Sequence, residues 1–205
     1  MYFNALSGDQ LRALSDTDQL FASVSDGRGR AAGYAGSMTW ARVGGRDYLS
    51  RLAADRPGGV RKRKSLGPRS PETEAVKAKF DAGKAEVADV LKGLEERGGR
   101  QSAVNRALRL GRVPNLTAAI LRAVDAAGLL GGGLRVVGTN SLFAYEAAAG
   151  VHFAAGLATT EDVDLLFDSR ARLRFVGDAA LDPASLVGIL KKGDRSFSRH
   201  QRTFT

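Results

Sequence analysis

The sequence contains no cysteine. That excludes a disulfide framework, a thiolate-held zinc site and a thiol nucleophile. Histidine is nearly as scarce, with only His152 and His200, so a three-histidine metal site is also excluded. No apolar run approaches the roughly 20 residues that a membrane-spanning helix requires. The opening residues, Met1 to Gln10, lack a basic segment followed by a long apolar one, which is what a secretory signal needs. The expected location is the cytoplasm, with no membrane partner. Nothing repeats at a fixed period.

What is present is the balance of a folded soluble protein. Of 205 residues, 43% are hydrophobic and 26% charged, enough for one substantial domain or a core domain with an appendage. Acids are in deficit: 31 Lys and Arg face 22 Asp and Glu, a net charge of +9. The excess is concentrated. Arg56 to Ser70 holds six basic residues (Arg56, Arg61, Lys62, Arg63, Lys64 and Arg69) and no acid, and Arg97 to Arg122 holds six arginines and no acid. Such stretches attract phosphate, so nucleic acid is a candidate partner and salt would weaken its binding. Lys64 and Arg69 are the candidate phosphate or acceptor contacts.

The pattern of the chain predicts an α+β fold in two parts. Residues 1–128 read as an N-terminal hairpin and helical region. Leu11, Leu14, Leu20, Phe21 and Val24 give residues 9–30 a helical spacing, which Gly27, Gly29 and Gly33 loosen. Two strand-like runs, 37–43 and 47–52, flank Gly44-Gly45, a hairpin signal. Trp40 and Tyr48 on them read as cross-strand packing residues. Residues 60–66 read as a third strand or a basic loop. Ser70-Pro71-Glu72 is a helix start, and Gly98-Gly99 predicts that this helix ends near Arg97. Further helices fit 101–110 and 115–127. Residues 129–205 read as a second part with a mixed sheet: strands at 134–137, 163–167 and 172–176, helices at 141–149 and 183–192, and Asp182 as a helix cap. Tyr145 reads as a packing residue, Glu146 as a partner for an arginine, and His152 as a loop residue and weak general-base candidate. His200 has no expected role.

Two features in this second part carry chemistry. Val136-Val137-Gly138-Thr139-Asn140-Ser141 is a strand entering a glycine turn and then a helix, a geometry whose N–H groups and helix dipole can hold a phosphate oxygen. Glu161-Asp162-Val163-Asp164-Leu165-Leu166-Phe167 is a strand bearing two acids two positions apart. Alternation puts Asp162 and Asp164 on one face and Val163 and Leu165 on the other. Two acids on one face repel unless a cation lies between them, and Mg²⁺ is held by one or two carboxylates plus substrate phosphates.

Together these segments, Val137 to Glu146, Gly150-Val151 and Thr160 to Asp168, resemble the core of an uncharacterised bacterial group of nucleotidyltransferase-fold proteins within the DNA polymerase β-like, minimal nucleotidyltransferase superfamily. Gly36 to Trp40, Gly45 to Leu49 and Lys64 to Thr73 are similar to the amino-terminal half of the same group. The resemblance implies that Gly138, Thr139, Asn140 and Ser141 bind nucleotide, with a hydroxyl from Thr139 or Ser141. It implies that Asp162 and Asp164 are the catalytic, metal-binding acids. The implied reaction is Mg²⁺-dependent transfer of a nucleoside monophosphate from a nucleoside triphosphate to an acceptor, with two Mg²⁺ ions. RNA, a protein hydroxyl or a small molecule would serve as the acceptor. The superfamily also uses a third carboxylate on a later strand. Of Asp168, Asp178, Asp182 and Asp194, none lies in an apolar strand, and 201–205 reads as the opening of one more strand. A truncated, partial or degenerate core with weak or absent transfer is therefore expected. The alternatives are a non-catalytic, basic nucleic-acid-binding module on the same fold, and a toxin- or antitoxin-like module that binds a protein through residues 71–127.

Overall fold

The computed structural model describes residues 2–54, 61–131, 133–154, 156–157, 162–167 and 183–198. Arg56, Asp168, Asp178, Asp182, His200, the expected strand 172–176 and the expected strand at 201–205 lie outside them. The fold is α+β. The chain divides into two compact units, one of residues 12–110 and one of residues 1–11 with 111–205. The sequence reading places residues 111–128 with the amino-terminal region, whereas their contacts group them with the carboxy-terminal unit.

The first unit is built on two long antiparallel helices, α1 (Gly8–Gly33) and α2 (Pro71–Ala107). Their contact stripe recurs every seven residues. On α2, Phe80, Val87 and Leu94 are buried and Gln101 follows. On α1, Ala13 and Gly27 are buried, with Leu20 between them and Tyr34 just beyond the helix. This is the spacing of a coiled-coil seam. Of the stripe expected for α1, Leu20 lies in this seam and Leu14 and Val24 are half-buried, while Leu11 and Phe21 are exposed. Gly27 lets the helices approach, since a β-carbon there would meet Leu91 Cδ2 at 2.8 Å.

Helix α2 also corrects the expected stop at Gly98-Gly99. Glycine in a helix interior costs about 1 kcal/mol relative to alanine, but the seam continues past the pair. Gln101 Nε2 donates to Ala13 O at 3.2 Å and to Asn105 Oδ1 at 3.0 Å, and Asn105 Nδ2 donates to Thr17 Oγ1 at 2.9 Å. These bonds hold the last turns to α1, so one helix replaces the two expected. Its start is the expected one: Pro71 follows the Ser70 cap, and Ser70 and Thr73 form a reciprocal capping box.

Three antiparallel strands, β2 (Ser37–Val43), β3 (Arg46–Ala54) and β4 (Arg61–Pro68), form a sheet in that order. Gly44 and Gly45 both have positive φ, 57° and 79°, as a two-residue hairpin turn matched to strand twist requires. The basic run is therefore an edge strand. One face of the sheet packs inward: Leu49 is fully buried, and the Arg51 guanidinium lies 5.5 Å from the Phe80 ring centroid.

The second unit holds α3 (Asn115–Ala126), β5 (Leu134–Val137), a 3-10 turn (Thr139–Ser141), α4 (Leu142–Ala149), β6 (Val151–Phe153), β7 (Asp164–Phe167) and α5 (Pro183–Gly193). Ile120, Val124 and Leu134 form its buried core, packed by Val163, Leu165, Leu186, Ile189 and Leu190. Strands β5 and β7 pair antiparallel, as do β1 (Phe3–Ala5) and β6. All strand pairings among the described residues are antiparallel, and the one parallel contact is an isolated bridge from Leu130 to Leu134. No helix is long and apolar enough to cross a membrane among the described residues.

Candidate active site

Strand β5 delivers the chain to Gly138, and β7 lies beside it with Val137 opposite Asp164. This register alone puts one of the two acids at the mouth of the glycine turn. Gly138 has φ 64° and ψ −156°, a conformation that β-carbon-bearing residues avoid. The space beside it is also occupied. A β-carbon on Gly138 would collide with the Asp164 carboxylate. The backbone of the turn and the carboxylate of the strand therefore share one small space.

The turn is held from within and from the segment just before β7. Ser141 Oγ donates to Gly138 O at 2.7 Å, and Ser141 N donates to the same carbonyl at 3.1 Å. Asn140 is buried, and its Nδ2 donates to Asp162 O at 2.5 Å. Asn140 thus ties the segment that carries the acids to the turn. Its Oδ1 is buried without a hydrogen-bond partner, an acceptor left over at the same place. Thr139 is half-buried, and Gly138 is exposed.

Asp162 and Asp164 are both exposed, while Val163 and Leu165 pack towards the core. The alternation expected of this segment is present, although the regular strand begins only at Asp164. Among the described residues no three histidine or acidic side chains cluster as a metal cage. The candidate donors are two exposed carboxylates, of which that of Asp164 adjoins the turn. This suits Mg²⁺, which keeps water and substrate phosphate among its ligands.

Other expected residues lie elsewhere. Lys64 and Arg69 belong to the first unit. Lys64 is exposed on β4 opposite Arg51. Arg69 stacks 5.2 Å from the Trp40 ring centroid and binds Glu74 at 2.7 Å. Glu74, through that hydrogen bond and its charge, raises the Arg69 pKa above the ordinary arginine value. Asp194 follows α5 and accepts from Ser196 N at 2.8 Å, and this holds its carboxyl below the usual range.

One polar cluster was legible only in part. Glu146, on α4, is buried and pairs with an arginine, Arg112, at 2.8 Å. It also accepts from Phe153 N at 2.6 Å, and Arg112 donates to Phe153 O at 3.0 Å. His152 is not in a loop. It lies on β6 opposite Asn4, with Nδ1 3.7 Å from Glu146 Oε2. Tyr145, expected to pack, is 61% exposed, because α4 turns the neighbouring Glu146 inward instead.

Residues 115–204 match the model of a family described as Nucleotidyltransferase. The match spans α3, the glycine turn, both aspartates and α5, all in the second unit. It bears out the resemblance over this segment. No curated protein and no solved structure matches the chain.

Proposed function

We propose that this chain, which carries a nucleotidyltransferase-family segment over residues 115–204, works as a Mg²⁺-dependent nucleotidyltransferase. The observation that supports the reading most directly is the Asp164 carboxylate lying against Gly138. A phosphate-binding turn and a metal-binding acid serve one substrate only if they adjoin.

In the proposed reaction an acceptor oxygen bonds to the α-phosphorus of a nucleoside triphosphate. The bond from that phosphorus towards the β-phosphate breaks, and pyrophosphate leaves. Gly138, Thr139, Asn140 and Ser141 bind and orient the triphosphate: Thr139 and Asn140 open the helical turn, where the first N–H groups lack intrahelical partners and can point at an anion, while the Ser141 N–H and hydroxyl are used on Gly138 O and hold the turn's shape. Asn140 holds Asp162 in register with the turn. Asp162 and Asp164 would hold Mg²⁺, which supplies positive charge to the transferring and leaving phosphate oxygens. The acceptor brings a hydroxyl or phosphate oxygen, and RNA, a protein side chain and a small molecule all carry one.

The test is transfer from α-³²P-labelled nucleoside triphosphates to a panel of RNA, protein and small-molecule acceptors, with and without Mg²⁺. Label should move to one acceptor class in Mg²⁺ only. Asp162→Asn and Asp164→Asn should each abolish it. Transfer indifferent to both substitutions would overturn the assignment.

A further inference from the structure

The sheet of the first unit has two unlike faces. Strand register assigns side chains to each, because residues directly opposite in an antiparallel pair share a face. Trp40, Leu49 and Arg51 share the inward face, with Phe80 and Arg69 against it. On the other face Tyr48 and Leu52 occupy the central strand, Arg46 lies at its start, and Arg61 and Arg63 lie on the edge strand. Arg46, Arg61 and Arg63 are exposed, Tyr48 and Leu52 are half-buried, and Val43 is 62% exposed.

Among the described residues no acid lies on this outer face. Its β2 positions are Ser37, Thr39, Ala41 and Val43, its β3 positions run from Arg46 to Leu52 through Tyr48 and Ser50, and its β4 positions are Arg61, Arg63 and Ser65. Asp47 falls on the inward face. None of the three guanidiniums has an ion-pair partner among the described residues, in contrast to Arg69 just after β4. By register Arg46 lies two positions from Tyr48 on β3, whereas Arg63 and Arg61 lie opposite Leu52 and Ala54, four and six positions along it, roughly 13 and 20 Å at about 3.3 Å per residue. Three guanidiniums spread along a face that also carries a tyrosine, with no carboxylate on it among the described residues, are complementary to an extended polyanion that also offers aromatic rings.

We infer that this face binds single-stranded nucleic acid, with phosphates on Arg46, Arg61 and Arg63 and a base stacked on Tyr48. A single strand fits better than a duplex, because only unstacked bases present a ring to an aromatic on a sheet. The inference is independent of the transfer reaction, since this binding requires neither nucleoside triphosphate nor Mg²⁺.

The test is fluorescence anisotropy of the full chain, in EDTA, with labelled single-stranded RNA, single-stranded DNA and a duplex of the same sequence. Salt is varied from 50 to 200 mM. The chain should bind one or both single strands more tightly than the duplex. The triple variant Arg46→Ala, Arg61→Ala, Arg63→Ala should weaken binding at least about 10-fold. It should also reduce the slope of log affinity against log salt by about 2, at roughly 0.7 per lost phosphate contact. Tyr48→Leu should weaken binding about 5-fold or more and leave the slope unchanged, and Tyr48→Phe, which keeps the ring, should restore it. Circular dichroism checks that each variant is folded. A salt slope unchanged in the triple variant would overturn the inference. Equal binding of duplex and single strand, or equal competition by polyglutamate, would do the same.

Discussion

The Asp164 carboxylate occupies the space that a β-carbon on Gly138 would fill. The substitution Gly138→Ala therefore carries two penalties, a positive φ that alanine resists and a clash with an acid. It should destabilise the fold by about 1–3 kcal/mol and displace Asp164. Gly131→Ala is the control. Gly131 also has a positive φ, 72°, but open space at the β-carbon. Urea unfolding of both variants isolates the clash. If they lose the same stability, the contact contributes nothing.

Gly98→Ala and Gly99→Ala should each stabilise the protein by about 0.5–1 kcal/mol. Both glycines are helical in α2, and a β-carbon on either meets nothing within 4 Å. Urea midpoints measure this. If the helix ended at this pair with a left-handed cap, the same substitutions would destabilise it.

These glycines mark where the sequence is legible and where it is not. Gly44-Gly45 could be read because a two-residue hairpin turn is a local event, set by the backbone freedom of its own residues. Gly98-Gly99 could not, because the outcome depends on Gln101 and Asn105 meeting a helix more than 80 positions earlier in the chain. The pairing of β1 with β6 was equally hidden, since three-residue strands have no readable period and Phe3 pairs with Phe153, far later in the chain. Of the candidate site, the glycine turn and the Asp-X-Asp alternation were legible from spacing. The tether from Asn140 to Asp162 was not, because a short polar side chain gives no sign of which carbonyl it will reach.

Arg112→Ala should cost about 3 kcal/mol, the scale for removing one partner of a buried ion pair. Glu146 is buried and would keep Phe153 N as a partner but lose its cation. The double variant Arg112→Ala, Glu146→Gln should recover part of the loss, since no unpaired charge is then left inside. Urea unfolding of the cycle measures the coupling. Strict additivity would show that the pair does not act as a unit.

Ser70→Ala should cost about 1 kcal/mol through loss of the α2 cap. It should also change the acid limb of the stability profile. The Ser70 hydroxyl, helped by the helix N-terminal backbone, holds the Glu72 carboxyl below its ordinary range. A carboxyl lowered on folding contributes stability above its unfolded value and loses it as pH falls through the folded value. In the wild type that contribution fades on acidification below the ordinary carboxylate range. The Ser70→Ala profile should be shallower there, as followed by thermal unfolding between pH 2 and 6. Parallel profiles would remove Ser70 as the cause.

The central claim is that Asp162, Asp164 and the Gly138 turn form one site for a magnesium-bound triphosphate. Isothermal calorimetry of nucleoside triphosphate binding, with Mg²⁺ and with EDTA, tests it most directly. The wild type should bind in Mg²⁺ and weaken on chelation. Asp162→Asn and Asp164→Asn, both at exposed positions, should lose on the order of 100-fold in Mg²⁺-dependent affinity, with circular dichroism checking that each variant is folded. Equal affinity in all three proteins, with the same response to EDTA, would contradict the account.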